Sequence, residues 1–210
     1  MADHFVDDIL PNKLGIKNSK ELMQYEEKIV AEKIITLLKD SETIEPDIEY
    51  FKHIHRVLFE DLYDFAGQFR QVDIVKQNSN YPFAFAQFIA PESNRIFNEL
   101  KAKNYLQNLP KTEFIKGTSE LSTDLNALHP FREGNGRTIR MYLMIIAYLA
   151  GYLLDYSQVS AEQIITADRL AFEGDDTELI KVYEKVTTEI NPDKSSDPKY
   201  RGREITSKID

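Results

Sequence analysis

The 210-residue sequence contains no cysteine, so it can build neither a disulfide framework nor a thiolate metal site. Its four histidines are scattered and do not have the spacing of a structural zinc site. It also lacks a basic excess: 26 Lys and Arg face 35 Asp and Glu, a formal net charge of −9. That balance argues against a sequence-independent grip on nucleic acid or anionic lipid, so no nucleic-acid or membrane partner is expected and any polyphosphate must be held by local positive groups. Long apolar runs are missing too. The most apolar stretch, 141–154, is shorter than the roughly 20 residues needed to span a bilayer and reads as a buried helix. Residues 1–15 lack the basic start and apolar run of a secretion signal, which points to a cytoplasmic protein. There is no internal repeat. What is present, an apolar fraction of 42%, fits one soluble domain with a sizeable core.

Helical spacing of Leu22, Ile29, Val30, Ile34, Leu37 and Leu38 predicts a first helix, with Asn18 and Glu21 approximating a capping box. Pro46 as a first-turn residue, followed by Phe51, Ile54, Leu58, Leu62 and Phe65, predicts a second that Gly67 stops. From Gln71 the period changes. Val72, Ile74 and Val75, then 78–80 as a polar turn, then Tyr81, Phe83 and Phe85 read as a hairpin, the one convincing strand pair. Helices are expected at 91–103, 111–128, 136–154, 159–172 and 176–188. From Asn191 onward apolar periodicity vanishes, as in a disordered tail or a linker. The expected fold class is all-α: a helical bundle carrying one short β-hairpin. Its expected limits are a tail at 1–17, a domain at 18–190 and a second tail at 191–210.

Chemistry concentrates in His129-Pro130-Phe131-Arg132-Glu133-Gly134-Asn135-Gly136-Arg137-Thr138-Ile139-Arg140, between two helical patterns. A loop that runs into a helix start presents unpaired N–H groups and the positive end of the dipole, which suits an anion. Gly134 and Gly136 let the backbone approach a phosphate, and Asn135 tolerates unusual dihedrals. Arg137 and Arg140, three apart, share one face of the first turn; two cations repel each other there unless an anion is expected. Glu133 offers a hard oxygen ligand, and phosphate-bound Mg²⁺ needs only one or two protein carboxylates. His129, ending the preceding helix, has an intrinsic pKa of roughly 6.5 and can take a proton near neutrality. Taken singly, each piece is better explained as a helix end, a turn or a solvated face.

As a unit, the segment resembles the signature of the Fic family, His-Pro-Phe-x-(Asp or Glu)-Gly-Asn-Gly-Arg-x-x-Arg, with every specified position filled. Residues 59–70, FEDLYDFAGQFR, resemble the turn ahead of that family's hairpin, and 72–92 resemble the hairpin itself, the flap, centred on about 71–87. The resemblance implies a protein adenylyltransferase that moves AMP from ATP to a Tyr, Ser or Thr hydroxyl of a target protein, itself included, and releases pyrophosphate. His129 would be the base and Glu133 the Mg²⁺ ligand. Gly134, Asn135 and Gly136 would bind phosphate, and Arg137 and Arg140 would position the triphosphate. Phe131 would anchor the loop in the core. The target would dock on the flap at Lys76, Gln77, Phe83 and Ala84, although Phe83 is equally well explained by packing. Transfer of UMP, phosphocholine or phosphate, or a non-catalytic nucleotide-binding module, remain alternatives. Many relatives carry an inhibitory (Ser or Thr)-x-x-x-Glu-(Gly or Asn) helix. The nearest candidate here, Ser41 with Glu45, has Pro46 at its last position, so a separate antitoxin-like protein is the better expectation for inhibition. The family resemblance also leaves open secretion into a host cell by a non-classical route.

Overall fold

The computed structural model describes residues 9–39, 45–74 and 82–190. Seven α-helices make up most of it: α1 Ser19–Lys39, α2 Ile48–Phe59, α3 Ile89–Ala102, α4 Lys111–Leu128, α5 Asn135–Leu149, α6 Ala161–Phe172 and α7 Thr177–Val186. The mainly helical class expected from the periodicities is the one observed. α5 lies in the centre, between α2 and α4, with α1 outside α2 and with α6 and α7 against α4. Phe51, Leu58, Phe114, Leu125, Tyr142 and Ile146 are fully buried where these helices meet. Each contributes about 1.5–3 kcal/mol of hydrophobic burial.

Helix boundaries follow local chemistry. The Asn18 side chain accepts from the Glu21 N–H at 3.0 Å, the expected cap of α1. α2 starts two residues later than Pro46 suggests, because Asp47 is the cap: its Oδ1 accepts from the Tyr50 N–H at 2.9 Å. It also ends early, at Phe59, where the chain turns so that Leu62 and Tyr63 both donate to the Phe59 carbonyl. α4 has the predicted limits. α6 opens on a full capping box between Ser160 and Gln163. α5 stops at Leu149 and not at 154, because Gly151, at φ 87°, supplies the left-handed turn that ends a helix.

The one sheet among the described residues is not the predicted hairpin. β1 Tyr152–Leu154 pairs antiparallel with β2 Thr187–Glu189, Tyr152 opposite Glu189 and Leu154 opposite Thr187. These segments were read as helix ends. In the flap, 75–81 lie outside the described residues, and the legs 71–74 and 82–85 carry no strand. The legs are joined by side chains instead of a ladder. Arg70 Nη1 donates to the Val72 carbonyl at 2.8 Å, Arg70 Nη2 donates to the Ala84 carbonyl, and Asp73 Oδ1 accepts from the Ala86 N–H at 2.7 Å. Residues 9–17, read as a tail, lie against the turn after α2 through a bond from the Lys13 N–H to the Leu62 carbonyl, 2.8 Å. Residues 191–210 are outside the described residues. No helix among the described residues is long and apolar enough to cross a membrane.

Candidate active site

The segment 129–140 connects α4 to α5, and its shape comes from three devices. The first is a left-handed residue at each end. His129 caps α4 at φ 45° and ψ 59°, its N–H donating to the Leu125 carbonyl at 3.0 Å, and Pro130 then prevents the helix from continuing. Gly134 caps the start of α5 at φ 78°, and a Cβ there would lie 2.3 Å from the Phe59 ring. Only glycine meets both conditions.

The second device is Asn135. Its buried amide closes the loop on itself: the Phe131 N–H donates to Oδ1 at 2.9 Å, and Nδ2 donates to the Phe131 carbonyl at 2.8 Å. The Asn135 side chain is thus committed to shaping the loop. Phe131 itself is fully buried, stacked on His55 with ring centroids 3.8 Å apart, as its anchoring role required.

His55 is the third device, and periodicity did not reveal it. The Gly67 N–H donates to Nδ1 at 2.8 Å, so the neutral ring carries its proton on Nε2 and donates to the Glu133 carbonyl at 3.0 Å. Burial lowers its pKa from 6.5 to about 4. The unfolded chain therefore binds a proton that the native state refuses. Stability contributed by neutral His55 is fully present above about pH 6.5 and is lost as pH falls through 4, to the extent of roughly 3 kcal/mol. Melting temperatures recorded from pH 7 to 4 are expected to fall, and His55→Gln is expected to flatten that part of the curve.

The face of α5 turned to solvent carries the two arginines. Arg137 and Arg140 both line a cleft of about 490 Å³, together with Glu26, Tyr63 and Glu133. Arg137 sits 4.8 Å over the Phe59 ring, and its Nη2 meets Glu26 Oε2 at 2.9 Å and Glu133 Oε1 at 3.4 Å. Arg140 folds back over the first turn, so a Cβ on Gly136 would lie 3.2 Å from its Nη1. Glu133 is exposed, and its Oε1 accepts from the Gly134 N–H at 2.8 Å. No cluster of three metal-ligating side chains exists among the described residues. A single exposed carboxylate such as that of Glu133 can serve a divalent cation that is otherwise held by ligand phosphates.

His129 is set from the flap side. Its ring stacks on Phe83 with centroids 3.8 Å apart, and Phe83 in turn meets Phe172 edge-on. Phe83 is buried, so its ring faces inward to the imidazole and not outward to a partner. Ala84 spends its main chain internally, donating to the Ala127 carbonyl at 3.1 Å and accepting from Arg70. Lys76 and Gln77 lie outside the described residues. Arg70, a residue that periodicity gave no reason to single out, is almost wholly buried. Besides the flap legs, it donates through Nε to the His129 carbonyl at 2.8 Å. Glu45 is not brought to the arginines: its Oε1 takes Lys101 Nζ at 2.7 Å and the Tyr105 hydroxyl at 2.8 Å, which lowers its pKa. Ser41 lies outside the described residues.

Residues 45–147 match the model of the Fic/DOC family. The chain is 34% identical over 168 residues to a probable protein adenylyltransferase of Sinorhizobium fredii, covering 80% of this chain and 85% of that protein. To the probable protein adenylyltransferase Fic of Escherichia coli it is 31% identical, covering 87% of this chain and 89% of that one. Its fold superposes with a TM-score of 0.80 on the BepC protein of Bartonella tribocorum, a translocated effector solved with bound AMPPNP. That match has 26% identity and covers 87% of this chain and 93% of the other.

Proposed function

Because the chain belongs to the Fic/DOC family, we propose that it is a protein adenylyltransferase that transfers AMP from ATP to a side-chain hydroxyl of a target protein. The observation that carries this reading is the bracket from His129 to Asn135: a basic imidazole at one end, a helix start at the other, and two arginines on the adjoining face.

In this reading the α5 start and the Gly134 to Gly136 backbone hold the phosphates, while Arg137 and Arg140 hold the β and γ groups through their N–H forks. Glu133, together with the phosphates, would hold Mg²⁺, which would neutralise charge on the phosphate oxygens. His129 accepts the proton of the target hydroxyl as its oxygen bonds to the α-phosphorus. The bond from that phosphorus to the bridging oxygen breaks, and pyrophosphate leaves. Phe83 and Arg70 keep the imidazole aimed, one by stacking and one by fixing its backbone, so alignment is built in before the substrates arrive. The Asn135 side chain acts indirectly, by holding the loop shape.

Incubating the chain with Mg²⁺ and target-containing lysate tests the reading. Protein-bound label from α-labelled ATP is the expected result. Label from the γ position would mean phosphate transfer, and ATP binding without transfer of either label would mean a binding module.

A further inference from the structure

The geometry points to Glu26 as a positioning residue: with Tyr63, it holds the Arg137 guanidinium in the orientation that receives the distal phosphates of the nucleotide. This role rests on the transferase reading above, which gives those phosphates to Arg137. Glu26 comes from α1, outside the segment that carries the chemistry, and lies 111 residues from its partner in sequence.

Its carboxylate is used at both ends. Oε1 accepts the Tyr63 hydroxyl, and Oε2 pairs with Arg137 Nη2 at 2.9 Å. Tyr63 is itself buried, and its pKa is raised by burial and by the bond to Glu26, so the hydroxyl remains a donor at any working pH. The two carboxylates on Arg137 differ in kind. The Glu26 side chain is 9% exposed, and that of Glu133 is 46% exposed. An incoming phosphate can displace Glu133 from Arg137 at little cost, because its carboxylate already faces solvent. Displacing Glu26 would strand a desolvated carboxylate without its counter-charge, which is strongly unfavourable. The Glu26 pair therefore persists when nucleotide binds, and the phosphate meets the remaining edge of the guanidinium. Phe59 supports the same guanidinium by its ring face at 4.8 Å. A long cation is thus fixed in advance, and the cost of ordering it is not charged to binding.

Calorimetric titration of the intact chain with ATP and with AMP, in the presence of Mg²⁺, tests this. Glu26→Gln is expected to weaken ATP binding by about five- to tenfold while AMP affinity stays within about twofold, since AMP lacks the groups Arg137 receives. In an Arg137→Ala background the same substitution is expected to change ATP affinity by less than about twofold; a merely structural role in α1 would act in both backgrounds. Tyr63→Phe, which removes one hydroxyl, is expected to weaken ATP in the same selective way by about two- to threefold, and carries the test if Glu26→Gln does not fold. Unchanged or tighter ATP binding by Glu26→Gln overturns the positioning role and leaves the transferase reading intact. A wild-type chain that binds no ATP overturns both.

Discussion

Replacing His129 with alanine will lower the rate of AMP transfer by about 10²–10⁴-fold and leave ATP affinity within about threefold of wild type. The split follows from the geometry. The backbone of residue 129 stays in place without the imidazole, because its N–H is held by the Leu125 carbonyl and its carbonyl by Arg70 Nε. Everything assigned to phosphate binding lies beyond that point, from Glu133 to Arg140. A loss of rate with the ground-state complex intact is what removal of a proton acceptor produces. Transfer of α-label, measured alongside a calorimetric titration, checks it. A variant that keeps full activity would remove His129 as the base.

Gly134→Ala carries the largest expected structural effect. At φ 78° an L-residue costs about 1–2 kcal/mol. The new methyl would also lie 2.3 Å from the rim of the fully buried Phe59 ring. Such overpacking costs about 1–3 kcal/mol. The expected destabilisation of about 3 kcal/mol corresponds to a melting temperature lower by roughly 6–12 °C for a chain of this length. Nucleotide binding is expected to fall with it, because Phe59 is also the platform beneath Arg137. Gly151→Ala is the control. That glycine has φ 87° with nothing within 4 Å of an added Cβ, so only the dihedral cost of about 1–2 kcal/mol applies. If the two variants melt alike, the Phe59 contact is not what restricts position 134.

Much of the helical layout was legible because α3, α4, α6 and α7 each bury one stripe, and a single stripe prints its period on the sequence. The loop from 129 to 140 was legible for a different reason: its residues are consecutive, so their joint chemistry survives without knowledge of the fold. What escaped depends on contacts between distant segments. Nothing local distinguishes β1, three residues whose partner strand lies beyond two helices. Asp47 was overlooked because Pro46 beside it satisfies the same first-turn expectation.

The missed polar residues did leave a trace. Glu26 stands four residues after Leu22 and four before Val30, in the middle of the buried stripe of α1. His55 likewise lies four residues from both Phe51 and Phe59 on the inner face of α2. An ionisable group on the apolar stripe of a helix is costly unless a partner awaits it. Such positions mark the residues whose partners the sequence alone cannot name. Arg70 had no equivalent trace, since it follows a turn and every acceptor it serves is a backbone carbonyl.

Arg70 has one further consequence. One guanidinium grips the two sides of the flap and the carbonyl of the residue that bears the imidazole, so positions 72, 84 and 129 are tied together by one side chain. Any displacement of either flap leg is therefore opposed by the same side chain that holds the main chain of His129.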